Sequence, residues 1–207
     1  MSKSTHRITM AALAGLLALT PAFAQSAGTA TGSAAKTTKK KTTTTATTTT
    51  ASSKLSAGDA KFVKTAASGG MEEVELGKLA ASKASDPDVK NFGQKMVDDH
   101  SKANDQLKQI ASQKGVTLPT GLNNMQKHDK AKLEKLSGAA FDSSYISMMV
   151  KDHKKDVADF QKESNSGKDG DVKSFASSTL PTLQDHLKMA QDASSKLHPT
   201  KGAKKGK

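Results

Sequence analysis

Between residues 55 and 197 the apolar side chains recur every three to four positions, and no stretch holds a period-two alternation. That pattern restricts the region to helices that each bury one stripe, and excludes a β-sheet core. Ala, Lys, Leu, Gln and Met, which favour helix, are plentiful, while aromatic residues make up only 3% of the chain. There is no Cys, so disulfides, thiol nucleophiles and cysteine-ligated zinc are excluded.

Breakers divide the region. Gly69 and Gly70 are expected to interrupt a first helix. Asp86 and Pro87 open a second as N-cap and first helical residue, and the segment from Gly115 to Gly121 ends it. A short helix over about 123–136, a long one over about 140–164 and a last one over about 171–197 follow, with Pro181 inside the last. Four long amphipathic helices with a short extra helix on the crossover predict an all-α four-helix bundle. Asp86 and Phe92 belong to a D-x-D-V-K-x-F block that returns at Asp169 and Phe175. The echo is either an old duplication or two similar helix starts.

Three of the histidines follow an aspartate: His100, His153 and His186. Asp is only 15 of 207 residues, so composition alone does not produce three such pairs on three long helices. Helical phase places all three inward. His100 fills the gap four residues after Met96, His153 lies four after Met149, and His186 three after Leu183. On the first helix Glu73 is in phase with Gly77, Ala80 and Ala84. One inward carboxylate and three inward imidazoles suit zinc, iron, copper or manganese. The adjacent aspartates point about 100° away from their own histidines, which leaves them to hydrogen-bond a ligand on another helix. The alternative is a polar network of His and carboxylate that only holds the helices in register. His128 is expected in solvent, and Met96, Met148 and Met149 as core filling.

The formal charge of +12 would suggest nucleic acid, but it is unevenly placed. Residues 1–54 carry +7, residues 199–207 carry +4, and the helical region carries +1. Residues 1–24 combine Lys3 and Arg7, a short apolar run and an Ala22-Phe23-Ala24 site, the form of a secretory signal peptide cleaved after Ala24. Residues 25–54 are Thr/Lys-rich and have almost nothing to bury, so they read as a disordered linker, and 199–207 as a disordered Lys-rich tail. The helical domain is thus set at 55–198.

The blocks around Met71, Glu73 and Leu79, then Phe92, Met96 and His100, then Phe141, Asp142 and Tyr145, then His153, then Pro181, Leu183 and His186 occur in this order. In that order they resemble the bacterial family of the domain of unknown function 4142, whose members carry the label of predicted outer-membrane proteins. The resemblance implies a ferritin-like bundle in an exported protein of no established activity. It places the family's Glu on Glu73 and its histidines on His100, His153 and His186. Di-metal ferritin-like enzymes carry Glu-x-x-His on two helices. Here Val97 and Leu183 stand three residues before His100 and His186, so that motif is missing.

Four functions follow as expectations. The first is an exported periplasmic or envelope protein, not an enzyme, which binds a metal ion in the bundle core or acts in envelope stress. The second is a ferritin-like metalloenzyme acting on oxygen species. The third is a cationic protein whose tails contact anionic envelope polymers or lipid headgroups. Nucleic-acid binding ranks last, because no Arg remains after cleavage. No membrane span is expected after cleavage, since about 20 apolar residues are needed.

Overall fold

A computed structural model of the chain describes residues 54–198. The expected signal peptide, nearly all of the linker, and the tail lie outside the described residues. Five helices follow one another: α1 (Ala57–Lys83), α2 (Pro87–Lys114), α3 (Asn124–Glu134), α4 (Gly138–Ser166) and α5 (Gly170–Leu197). The long four form a four-helix bundle of two hairpins, α1–α2 and α4–α5, with α1 packed on α4 and α2 on α5. The short α3 lies on the crossover and touches α1 and α4.

The breakers act as expected at the helix ends. Asp86 caps α2 by accepting from the backbone of Asp88 and Val89, with Pro87 behind it. Gly115 ends α2 in the left-handed region at φ 66°, which a side chain would resist. Asn123 and Gln126 form a reciprocal capping box on α3. Gln126 also donates to the Ser68 carbonyl at 2.9 Å, which pins α3 to α1.

One expectation fails. Gly69 and Gly70 do not interrupt the first helix, and α1 runs unbroken through them. Packing explains Gly70. A β-carbon there would fall 2.6 Å from Oδ1 of Asn104 on α2. Farther along, a β-carbon on Gly77 would lie 2.7 Å from the Gly93 carbonyl oxygen, and one on Gly93 2.8 Å from the Gly77 carbonyl oxygen. Glycine here lets α1 and α2 approach backbone to backbone, and that contact outweighs a propensity deficit of about 1 kcal/mol per residue.

The echo of the D-x-D-V-K-x-F block extends beyond the helix starts. Asp142 of α4 accepts hydrogen bonds from the backbone of Ser85 and Asp86 at 3.0 and 2.9 Å, at the start of α2. Asp59 of α1 accepts from the backbone of Lys168 and Asp169 at 3.1 and 2.9 Å, at the start of α5. The offset from Asp59 to Asp142 equals that from Asp86 to Asp169. Each hairpin therefore caps the other by the same device, which favours duplication over coincidence.

The core falls into two apolar clusters. One joins Leu76, Phe92, Met96, Phe141, Tyr145 and Met149. The other joins Val63, Leu107, Phe160, Val172, Phe175 and Leu183. Outside both stand buried Glu73, His100, His153 and His186. No described helix is long and apolar enough to cross a membrane.

Candidate metal centre

His153 and His186 are fully buried, and His100 is 5% exposed. They arrive from α4, α5 and α2, each on the apolar stripe of its helix. Their ring centroids form a near-equilateral triangle with sides of 5.6, 5.3 and 5.3 Å. One nitrogen from each ring lies within 4.8 Å of the other two. Phe92 closes the apolar side, 6.3 Å from His153 and 6.4 Å from His186.

Each ring has one nitrogen engaged and one idle. Nδ1 of His100 bonds Oε2 of Glu73 at 3.0 Å. Nδ1 of His153 bonds the Met149 carbonyl at 3.0 Å. Nε2 of His186 bonds Oδ2 of Asp99 at 3.0 Å. An ionised carboxylate or a carbonyl only accepts, so the engaged nitrogen carries the proton. The opposite nitrogen of a neutral ring then presents a bare lone pair. His100 Nε2, His153 Nε2 and His186 Nδ1 are all buried without a hydrogen-bond partner. An unsatisfied buried polar atom costs about 1–3 kcal/mol, so three on facing rings call for a further partner.

Glu73 lies between two of the rings. Its Oε2 serves His100, while its Oε1 is 3.6 Å from His153 Nε2 and has no partner of its own. Burial alone would raise its pKa, but the neighbouring His100 and His153 outweigh burial and hold it well below the usual carboxylate range. Asp156 of α4 shares a hydrogen bond with Glu73. Burial and the Glu73 charge push Asp156 well above its ordinary value.

The rings respond to their surroundings in opposite directions. Burial disfavours the charged form of His100, but the charge of Glu73 and its hydrogen bond prevail and raise it. Burial lowers His153, helped by the positive charge of His100. Burial also lowers His186, to about 4, against the Asp99 hydrogen bond.

All four residues singled out from the sequence thus meet in one place, three as a ligand-like trio and Glu73 beside it. His128 is exposed, as expected. Asp99 does serve a histidine on another helix. Sequence reasoning missed Asp156 and Asn104, and named Tyr145 only among the blocks of the family resemblance. Asp156 had a signal, since it follows Glu73 at the same offset that separates the two copies of the echoed block. The Asn104 Oδ1 and the Tyr145 hydroxyl are buried without partners.

The donor set fits a transition metal. Nitrogens bound to zinc at about 2.0–2.1 Å in a tetrahedron lie about 3.4 Å apart, so drawing the trio in by about 1 Å seats an ion. Carboxylate and carbonyl partners behind the ligating rings are what such sites use to fix the tautomer.

Two solved structures share the fold. A fragment of the domain of unknown function 305 from Deinococcus radiodurans superposes with a TM-score of 0.61 at 10% identity, covering 69% of this chain and 99% of that one. A spore coat protein candidate from Bacillus halodurans superposes with a TM-score of 0.56 at 17% identity, covering 69% and 90%. A search of curated proteins returns no match. The model of the domain of unknown function DUF4142 matches residues 44–193, well over half the chain, and the protein belongs to that family.

Proposed function

We propose that this protein binds a single transition-metal ion in the core of its bundle. His100 Nε2, His153 Nε2 and His186 Nδ1 are the ligands. Glu73 Oε1 is placed to complete the set. The observation that supports this is three rings that bring a nitrogen each within 4.8 Å of the others, each ring with one buried nitrogen lacking a hydrogen-bond partner and an acceptor on the other. Imidazole donors suit Zn²⁺, Cu²⁺ and Fe²⁺, and at equal availability Cu²⁺ binds most tightly. The chain acts as a binder rather than an oxygen-activating enzyme, since the Glu-x-x-His pairs of two-metal bundles are missing. The leader-like residues 1–24 put this binding outside the cytoplasm, in the periplasm or envelope.

Calorimetric titration of the tag-free chain with Zn²⁺ and Cu²⁺ tests the reading. One ion per chain is expected, with binding lost in His153→Ala. An absence of binding in the parent chain, or binding at the parent's level in His153→Ala and His100→Ala, overturns it. At a hundredfold excess over Kd, bound metal should stabilise the fold by about 2.7 kcal/mol.

A further inference from the structure

The trio is buried, so an ion needs a way in. Two cavities bear on this. The outer one, about 970 Å³, opens between α1, α3 and α4. The inner one, about 20 Å³, reaches His100. About 10–15 Å³ accommodates one water molecule, so the inner cavity has room for one small guest. Gly69, Glu73 and Asp156 line both. These three residues therefore stand between the outer space and the inner cavity that reaches His100.

The outer cavity sorts its charges by depth. Glu72, Asp129, Asp152 and Asp156 line it and are half-buried. Its lysines, Lys64, Lys132, Lys151 and Lys155, are exposed at the rim. At the inner end is Glu73, only 4% exposed, whose Oε1 has no partner. That atom is 3.6 Å from the idle Nε2 of His153. A cation that passes the rim meets carboxylates inside the cavity and ends at the Glu73 oxygen beside Nε2 of His153.

We propose that the cavity between α1, α3 and α4 is the port through which a divalent metal ion reaches the three histidines, with Glu73 handing the ion from the cavity to His153. This rests on the metal-binding reading above. Glu72, Asp129 and Asp152 concentrate the cation, and Gly69 keeps the passage open because it has no side chain. A β-carbon built on Gly69 meets no atom within 4 Å, so a side chain there starts in open space beside the passage.

The test is the rate of Co²⁺ uptake by the tag-free full chain, followed by visible absorption in a stopped-flow instrument. Gly69→Phe plugs the port. Gly121→Phe is the control, since Gly121 lines a different cavity of about 710 Å³ and its β-carbon also meets nothing within 4 Å. Gly69→Phe should load at least about tenfold more slowly and release more slowly too, with equilibrium affinity unchanged, while Gly121→Phe loads like the parent. Glu72→Lys, which reverses a charge inside the cavity and leaves the trio untouched, should also slow loading at unchanged affinity. If Gly69→Phe and Glu72→Lys both load at the parent rate and bind fully, the port is elsewhere and the proposal falls while the site stands. If the parent chain takes up no Co²⁺, the site itself fails.

Discussion

Asp99 on α2 holds His186 on α5 through a 3.0 Å hydrogen bond from Nε2 to Oδ2, and so leaves Nδ1 as the ring's unpartnered nitrogen. Asp99 is also held by Lys95 at 2.8 Å, and these partners overcome burial to keep its carboxyl below its ordinary range. The residue that aims one ligand is thus itself anchored. Replacing Asp99 by Ala frees the His186 ring to rotate or change tautomer. Metal affinity should fall about 10–100-fold in Asp99→Ala, the usual effect of losing a partner behind a ligand. Circular dichroism should show the helices unchanged. Unchanged affinity in calorimetry would mean that Asp99 does not position His186.

The metal-free protein should titrate unevenly. His186 is expected to keep its neutral form until pH falls to about 4, and His153 to titrate below 6.5. His100 should titrate above 6.5, because the Glu73 charge outweighs its burial. Proton NMR of the imidazole C–H resonances measures all three. Three histidines titrating together near 6.5 would show that the pocket is wet and the trio not organised.

The reciprocal caps carry a pH signature away from the histidines. Burial opposes ionisation of Asp59, but the amides of Lys168 and Asp169 and the Ser56 hydroxyl prevail and lower its pKa from 3.8. Its stabilising contribution is therefore complete above 3.8 and is lost as pH falls through the lowered value. Asp59→Ala should cost about 1–3 kcal/mol at neutral pH by stranding two amides. Urea unfolding at several pH values should show the gap between parent and variant closing in acid. A gap that stays constant with pH would contradict the role of the ionised cap.

The glycines of α1 should separate by sign. Gly77→Ala sets a β-carbon 2.7 Å from the Gly93 carbonyl oxygen, backbone that cannot swing aside. It should destabilise by about 1–3 kcal/mol. Gly69→Ala meets nothing within 4 Å and should stabilise by up to about 1 kcal/mol through helix propensity. Thermal unfolding decides, and equal effects at the two positions would refute the close α1–α2 approach.

The inward direction of His100, His153 and His186 was legible because each fills a gap in an apolar stripe, and the helical period alone settles that. Glu73 was legible for the same reason. What each ring does with its second nitrogen was not. The Met149 carbonyl and the Asp99 carboxylate become partners only through ring rotamers and the pairing of α2 with α5, neither of which period encodes. Gly69 and Gly70 misled because local propensity argues for a break, while the contact that requires Gly70 comes from Asn104, on the neighbouring helix and distant in sequence. Asp156 went unnoticed although it lies in phase with the α4 stripe, three residues after His153 and four before Phe160. Following the internal echo from Glu73 would have found it.

The central claim is that three idle nitrogens hold one ion. A crystal of the tag-free chain grown with Zn²⁺, with diffraction recorded on both sides of the zinc absorption edge, tests it most directly. The account predicts one anomalous peak in the bundle core, bounded by His100 Nε2, His153 Nε2 and His186 Nδ1. No peak there, or peaks only at surface groups such as His128, would contradict it.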